Sequence, residues 1–228
     1  MLPDETKSYQ PVTHGELVNL VTKITQATMP VVLLKEQFGL RREGKQLFAH
    51  LQFVPKALPV KGEMAMCIGI VNSYDKLLRI RIAAGAEVFV CDNLMLTGDI
   101  TYMRKHTKNV WRDLALAITQ QIGMAEQSFN SIQDAAEKMK AIRINNNQAF
   151  GSMGVLFGEG LFTAPMMTVA KKQWIEPVFP VFEKRNKWSL YQACTYAMKL
   201  ARPDNIMENY VQLHTAFTGG IGAKILPN

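Results

Sequence analysis

The chain has 228 residues, of which 48% are hydrophobic and 20% are charged, a composition typical of a globular protein that buries a sizeable core. Its formal charge of +7 suits a partner that carries phosphates, although charge alone is weak support for nucleic-acid binding. The polar N-terminus does not resemble a signal peptide, and no apolar run reaches the roughly 18 residues that span a bilayer. We therefore expect no membrane partner and a cytoplasmic location, which is the host cytoplasm if a phage encodes the chain.

The first predicted elements are an arm, a helix and two strands. We expect residues 1–12 to form a flexible N-terminal arm. Thr13 and Glu16 have the spacing of a capping box, which predicts a helix that ends before Pro30. Two strands follow, the second over residues 46–53, with a connection through Gly39 and Gly44. A small basic cluster lies at this connection: Arg41, Arg42 and Lys45.

Three short runs then predict an antiparallel meander. Residues 63–72 are largely apolar, residues 77–82 alternate between apolar and charged, and residues 86–91 are again apolar. A turn at residues 74–76 separates the first two runs, and Gly85 separates the last two. The alternation predicts that the second strand is half exposed, with a cationic outer face formed by Arg79 and Arg81.

Helical patterns dominate the rest of the chain. Apolar residues recur at spacings of three and four from about residue 109, which predicts a long helix with a break near Gly123. The glycine-rich segment 151–165 contains no nucleotide-binding motif, so we interpret it as a turn or packing segment. Two more helices are predicted to begin at Ser189 and Ile206.

These elements define an α+β fold class. We predict a small antiparallel β-meander packed against a long helix, with a C-terminal helical part. The corresponding organisation is an N-terminal arm over residues 1–12, a core domain over residues 13–144 and the helical part over residues 145–228.

Residues suited to metal or nucleophilic chemistry are scattered. Neither the cysteines nor the histidines form a recognised motif, and we interpret Cys91 as a buried strand residue rather than a nucleophile. Asp92 and Asp99 are conceivable magnesium ligands, but they equally suit turns and helix starts. We therefore expect no metal, no cofactor and no catalysis, while an enzyme acting on nucleic acid stays open because distant carboxylates can converge in a fold.

Basic residues between positions 70 and 114 give the clearest indication of function. Cations that share one face suffice to bind phosphates, and backbone N–H groups at a helix start also favour anions. Aromatic residues close to cations are typical of single-strand binding, although a solvated basic face over core aromatics is the alternative. The candidate nucleic-acid-binding residues are Arg79, Arg81, Tyr102, Arg104, Lys105, His106, Lys108 and Arg112, with Arg41, Arg42 and Lys45 as a secondary cluster.

Four short motifs carry a resemblance to a known family. Residues 72–75 (NSYD) resemble an NSHDG-like turn, and residues 90–94 (VCDNL) resemble a VCxNxL step. Residues 104–107 match a basic KHT-like segment, and residues 188–196 are similar to a C-terminal helix motif. Together they resemble an uncharacterised phage/plasmid-related family, over about residues 69–217. The chain departs from the family pattern at Tyr74, Lys76, Gln192 and Tyr196.

The resemblance implies a mobile-element protein that acts in DNA replication, recombination or defence evasion. The meander, long helix and cationic hairpin are also similar in architecture to Rad52-like single-strand annealing proteins, which hold single-stranded DNA in a basic groove of an oligomeric ring. We therefore expect a phage or mobile-element DNA-binding protein that anneals single strands in recombination as a homo-oligomer. The alternative is a host-interaction protein that inhibits a bacterial defence system through a protein or nucleotide-signal partner.

Overall fold

The structure, a computed structural model, describes residues 3–56, 63–88, 93–107, 109–202 and 205–219, except for the side chains of residues 97–104 and of Arg112. The described part contains five strands, seven α-helices and two short 3₁₀ helices. The strands and helices in chain order are α1 (His14–Thr28), β1 (Val31–Arg41), β2 (Gln46–Pro55), β3 (Met64–Ser73), β4 (Ile80–Val88), β5 (Asn93–Arg104), α2 (Val110–Gly123), α3 (Ala125–Ala141), α4 (Asn146–Gly158), α5 (Ala164–Ile175), α6 (Lys187–Ala197) and α7 (Ile206–Thr218), with 3₁₀ helices at Pro180–Phe182 and Met198–Leu200.

Helix α1 begins at the predicted capping box. The Thr13 hydroxyl accepts a hydrogen bond from the Glu16 N–H at 3.1 Å, and the Glu16 carboxylate accepts one from the Thr13 N–H at 3.3 Å. Val12, just before the cap, and Leu17, one turn into the helix, are both buried in the same apolar core. This arrangement is a hydrophobic staple, which fixes the direction of the chain as it enters the helix. The end of the predicted flexible arm is therefore packed into the core, because Val12 completes the staple.

The strands form one sheet in the order β1-β2-β3-β4-β5, so that strands adjacent in sequence are adjacent in space. Strand β2 pairs antiparallel with both β1 and β3. This topology and the helices that follow it confirm the predicted α+β class. Alternate side chains of β2, including Leu47, Ala49 and Leu51, join apolar side chains of α1 and α2 in the core.

Two glycines that were predicted to interrupt strands lie inside them. Gly85 lies within β4, so the two predicted runs on either side of it form a single strand up to Val88. Gly39 likewise lies within β1. Continuous burial of β4 from Ile82 to Val88 compensates for the weak strand preference of glycine. The next strand, β5, was not predicted, and residues 89–92 lie outside the described part.

The predicted long helix is broken at Met124, between α2 and α3, close to the expected position. The first half of the glycine-rich segment is helical, since three of its glycines fall within α4, and the predicted turn follows at residues 159–160, where Gly160 has a φ of 75°. Asn145 and Gln148 form a capping box at the start of α4. Its buried residues recur at helical spacing, which favours the helix despite the glycines: Ala149, Ser152, Met153 and Leu156.

The chain forms two compact units, and each contains two separate stretches of sequence. The first unit comprises Met1–Glu87 and Asp99–Phe129, and the second comprises Val88–Gly98 and Asn130–Asn228. The predicted domain boundaries after residues 12 and 144 stay predictions. None of the described helices combines the length and the apolar character needed to cross a membrane.

Candidate phosphate-binding cleft

A cleft of about 480 Å³ opens on the first unit. It lies where the N-terminal segment, the turn between β3 and β4, and the segment after β5 meet. Three of its lining side chains are cationic and none is a carboxylate. We call it the cationic cleft, and its lining residues are Thr6, Ser8, Tyr9, Lys76, Leu77, Leu78, Arg79, Lys105, His106 and Thr107.

The N-terminal segment is fixed against the segment that follows β5. Tyr9 forms an isolated antiparallel bridge with Thr107, and the Gln10 N–H donates to the carbonyl oxygen of His106 at 3.3 Å. The Tyr9 N–H donates to the Thr6 hydroxyl at 3.1 Å, which closes a tight turn before the bridge. These bonds bring Thr6 and Tyr9 to the wall of the cleft, although about a hundred residues separate them from Thr107 in sequence.

Tyr9 is the structural centre of the cleft. Its ring stacks on the His106 ring with centroids 5.6 Å apart, and the Lys76 ammonium lies 4.4 Å from the Tyr9 ring centroid as a cation–π contact. Tyr9 is only 8% exposed, and its hydroxyl has no hydrogen-bond partner among the described residues. A buried hydroxyl without a partner is costly, so a ligand would gain a hydrogen bond at this atom only if the ring moves enough to expose it.

Burial also affects the acid–base properties of the cleft. It raises the pKa of Tyr9, an effect strengthened by the negative charge of Asp75. It lowers the pKa of His106, and the nearby backbone of Gln10 only partly opposes that shift. Tyr9 and His106 are therefore neutral near pH 7, and the positive charge of the cleft comes from Lys76, Arg79 and Lys105.

The turn that carries Lys76 is held in place by Asp75. One carboxylate oxygen of Asp75 accepts a hydrogen bond from the Gln46 side-chain amide at 2.8 Å and lies 3.6 Å from the Arg42 guanidinium. The other oxygen accepts from the Leu77 N–H at 3.2 Å. Because Arg42 compensates its charge, Asp75 positions Lys76 without placing an unpaired negative charge beside the cleft.

His14 connects the same turns to the start of α1. The Asn72 side-chain amide donates to the Val12 carbonyl oxygen at 2.8 Å and lies 3.0 Å from Nδ1 of His14. Since Nδ1 then accepts, Nε2 carries the proton and donates to the Gly44 carbonyl oxygen at 3.0 Å. The His14 ring also stacks on Tyr74, with centroids 4.0 Å apart. Burial lowers the pKa of His14, with a smaller opposing effect from the Gly44 hydrogen bond.

The structure brings together residues from both predicted groups. Arg79 from the meander and Lys105 and His106 from the segment before α2 line one cleft. Arg79 precedes β4 rather than lying on it, and Arg81 is half-buried within β4 and does not line the cleft. Lys108 lies outside the described residues, as do the side chains of Tyr102, Arg104 and Arg112.

The secondary basic cluster is engaged in local contacts. Arg42 is 3.6 Å from Asp75, and Lys45 is 3.6 Å from Glu43. Arg41 is the last residue of β1. This cluster therefore stabilises the turn beside the cleft, and its charge is partly compensated.

Sequence reasoning missed the N-terminal wall and Lys76. Thr6, Ser8 and Tyr9 fall within the predicted flexible arm, and Lys76 was interpreted only as a turn residue. The staple formed by Val12 and Leu17 was a usable signal, because it indicates that the chain before the cap is packed. Nothing in the sequence indicates which distant segment Tyr9 would contact.

Other reactive groups of the described chain lie away from the cleft. Cys67 and Cys194 are free and buried, and burial raises the pKa of both thiols, as expected for inert core cysteines. His50 is buried in β2 with Nε2 3.3 Å from the Glu87 carboxylate, a pair that the sequence did not reveal. No group of three or more potential metal ligands occurs among the described residues, while Cys91, Asp92 and the Asp99 side chain lie outside them.

Residues 4–173 match the family described as Domain of unknown function (DUF932), which is well over half of the chain. The chain belongs to this family. The DUF932 match includes the N-terminal wall of the cleft, which the motif resemblance over about residues 69–217 leaves out. It ends within α5, before the helix motif at residues 188–196.

Comparison with curated proteins and with solved structures gives no match. The DUF932 description specifies no activity. The chemistry of the cationic cleft is therefore the basis for a proposed function.

Proposed function

We propose that the chain is a non-catalytic DNA-binding protein that holds single-stranded DNA by its phosphates in the cationic cleft. The observation that carries this proposal is the convergence of Lys76, Arg79 and Lys105 on one cleft lined by Tyr9, whose hydroxyl has no hydrogen-bond partner among the described residues. Three cations without a lining carboxylate favour a polyanion. The hydroxyls of Ser8 and Thr107 add neutral groups of the kind that contact phosphate oxygens.

The burial of the two rings favours phosphates over bases as the recognised groups. Tyr9 and His106 are both more than nine-tenths buried, so neither offers an open ring face for a base to stack on. Recognition through charges and hydroxyls carries no sequence information, because every nucleotide presents the same backbone. The cleft is therefore suited to binding DNA strands of any sequence, which annealing requires.

The biological setting of the proposal is recombination in a phage or another mobile element. It rests on the motif resemblance of residues 72–75, 90–94 and 104–107, and on the architectural similarity to Rad52-like annealing proteins. A homo-oligomer would place several clefts along one strand, so that weak individual contacts add up to strong binding.

A second candidate function is recognition of a nucleotide signal, as expected of a protein that inhibits a host defence system. The volume of the cleft favours it, because about 480 Å³ falls within the range of roughly 300–1,000 Å³ typical of small-molecule pockets. Such a ligand would need the same phosphate contacts, so the two candidates differ in the length of the ligand and not in the site.

Fluorescence anisotropy with labelled single-stranded oligonucleotides tests both candidates. We expect single strands to bind more tightly than the matching duplex, and unlabelled mononucleotides to compete poorly. The cleft variant Lys76→Gln/Arg79→Gln/Lys105→Gln should bind single strands at least about tenfold more weakly, since each lost phosphate contact contributes to affinity.

The matched control is Lys23→Gln/Lys56→Gln/Lys138→Gln, which removes the same net charge from exposed positions that do not line the cleft. This control should retain most of the affinity. Equal losses in the two variants would show that only net charge matters and would overturn the assignment to the cleft. Tight, cleft-dependent binding of mononucleotides would instead support the second candidate.

A further inference from the structure

His106 is a buried polar side chain in the wall of the cationic cleft. It is only 7% exposed, and neither of its ring nitrogens has a hydrogen-bond partner among the described residues. Its backbone is fixed independently of the ring, because the His106 carbonyl oxygen accepts from the Gln10 N–H at 3.3 Å. A neutral imidazole donates one hydrogen bond and a charged imidazole donates two. The described residues around this ring therefore leave its hydrogen-bonding capacity unused.

Three cations share the cleft with His106, and they disfavour a further positive charge. Lys76 and Arg79 line it from the turn before β4, and Lys105 is the preceding residue of the chain. None of the described lining residues is a carboxylate that would offset them. A like charge nearby favours the neutral form of an imidazole.

The other neighbours of the ring do not compensate for these cations. Tyr9 stacks on it at a centroid distance of 5.6 Å and is neutral. Burial is the largest cause of the lowered pKa of His106, and the charge of His14, on α1, lowers it further. Asp75, in the turn after β3, is compensated by Arg42 at 3.6 Å. In the free protein the described side chains around His106 therefore favour its neutral form.

A phosphate in the cleft reverses this balance. Its negative charge offsets the cations and favours a positive charge on a group within about 4–6 Å. This effect acts through space, so it does not require the buried nitrogens to contact the phosphate directly. If the ring turns towards the cleft, a phosphate oxygen also supplies an acceptor for the charged ring.

We propose that His106 takes up a proton from solvent when a phosphate of the strand binds in the cationic cleft, so that acidification strengthens binding. The inference rests on the proposed function, because it assigns a further role within the same cleft. Binding of the strand and binding of the proton are linked, and each strengthens the other by the same factor. The described lining of the cleft carries three positive charges at neutral pH and gains a fourth in the mildly acidic complex.

An NMR titration of the full chain measures the charge of His106 directly. The C–H resonances of an imidazole ring move on protonation, and His106→Gln identifies which of them belong to this residue. The probe is a single-stranded oligothymidylate without a terminal phosphate, because neither its bases nor its phosphodiester groups titrate between neutral and mildly acidic pH. We expect the titration midpoint of His106 to rise by about half a pH unit or more when the strand saturates the protein. An unchanged midpoint in the saturated complex overturns the proposal.

Calorimetry in two buffers that differ in ionisation enthalpy counts the protons taken up on binding. At about pH 6 the wild-type chain should take up a substantial fraction of one proton, and its affinity should rise by up to about tenfold for each unit by which the pH falls. His106→Gln should lose most of this uptake. His214→Gln is the matched control, since His214 is similarly buried at 8% but belongs to the second unit and does not line the cleft. This control should take up as many protons as the wild type, and equal uptake by His106→Gln would contradict the proposal.

Sulfate separates a failure of this inference from a failure of the proposed function. It is a divalent anion that does not titrate at these pH values, and it presents oxygens like those of a phosphate without a nucleotide. A His106 midpoint that rises with sulfate, relative to chloride at the same ionic strength, but not with the oligothymidylate would support the linkage and overturn DNA binding in the cleft. Cleft-dependent binding of the strand with an unchanged midpoint would support the proposed function and overturn this inference.

Discussion

Asn93 and Gln192 are joined by a buried pair of hydrogen bonds, although 99 residues separate them in sequence. The Asn93 side-chain amide donates to the Gln192 side-chain oxygen at 2.8 Å and to its backbone carbonyl oxygen at 3.1 Å. Asn93 belongs to the VCxNxL-like step and Gln192 to the helix motif, so two segments of the motif resemblance meet within the second unit. Gln192 stands where the resemblance has Asn, and the longer side chain also places its amide 3.8 Å from the Met95 sulfur.

Removing this pair should destabilise the second unit. We expect Asn93→Ala to lower the free energy of unfolding by about 2 kcal/mol, since it deletes two buried hydrogen bonds. A double-mutant cycle with Gln192→Ala should give a coupling energy of about 1 kcal/mol by urea denaturation. Gln127→Ala on the exposed face of α3 serves as a control that should change stability little. Additive effects of the two buried substitutions would show that the pair is not coupled.

Stability should fall as the pH drops below about 6.5. Burial lowers the pKa of His14 and His106, so the folded chain keeps both imidazoles neutral at a pH where the unfolded chain protonates them. In this pH range the unfolded state binds more protons than the folded state. The contribution of the two histidines to stability is therefore fully present above their pKa in the unfolded chain, and it is lost as the pH falls towards their lower pKa in the folded chain. Chemical denaturation at a series of pH values measures this loss. His14→Gln should flatten the profile, and an unchanged slope in that variant would rule out His14 as a cause.

Tyr9→Phe should separate binding from folding. The substitution removes a buried hydroxyl that has no partner among the described residues, so thermal stability should be unchanged or slightly higher. If a phosphate uses that hydroxyl, affinity for single-stranded DNA should fall about fivefold, the equivalent of roughly 1 kcal/mol for one hydrogen bond. Unchanged affinity would show that the ligand does not reach Tyr9. Lost stability would show that the hydroxyl has a structural role.

The salt dependence of binding should report how many cations contact phosphates. For a single strand, each neutralised phosphate contributes about 0.7 to the slope of log affinity against log salt concentration. Lys76→Gln and Lys105→Gln should each reduce the slope by about that amount, measured by anisotropy over a salt series. Lys23→Gln, on α1 and away from the cleft, should leave the slope unchanged.

Local patterns were sufficient to predict much of the fold. The capping box at Thr13, the strands on either side of residues 42–45 and the helices α6 and α7 each depend on residues close together in sequence. The predictions failed at Gly85 and in residues 151–158, where glycine was given more weight than the surrounding apolar residues. Burial on both faces of β4 and the cap of α4 favour regular structure there, and local propensity underestimates such tertiary effects.

The candidate site was predictable only in part. Charge and position in the sequence identified Arg79, Lys105 and His106 as site residues. They did not reveal that Arg79 precedes β4 or that Arg81 is half-buried. The N-terminal wall depends on the bridge between Tyr9 and Thr107, a contact between distant residues that no local pattern encodes. The role of Asp75 in holding the turn was hidden for the same reason, because its partners Arg42 and Gln46 lie about thirty residues away.

The interleaving of the two units constrains how the protein is made. The first unit needs residues up to Phe129, and the second needs the stretch from Val88 to Gly98 as well as everything after Asn130. As the ribosome releases the chain from its N-terminus, β4 and β5 emerge well before the helices of the second unit. The stretch from Val88 to Gly98 must therefore wait, unassembled, until those helices are synthesised. No single cut of the chain yields either unit intact, so neither unit can be expressed as one continuous fragment.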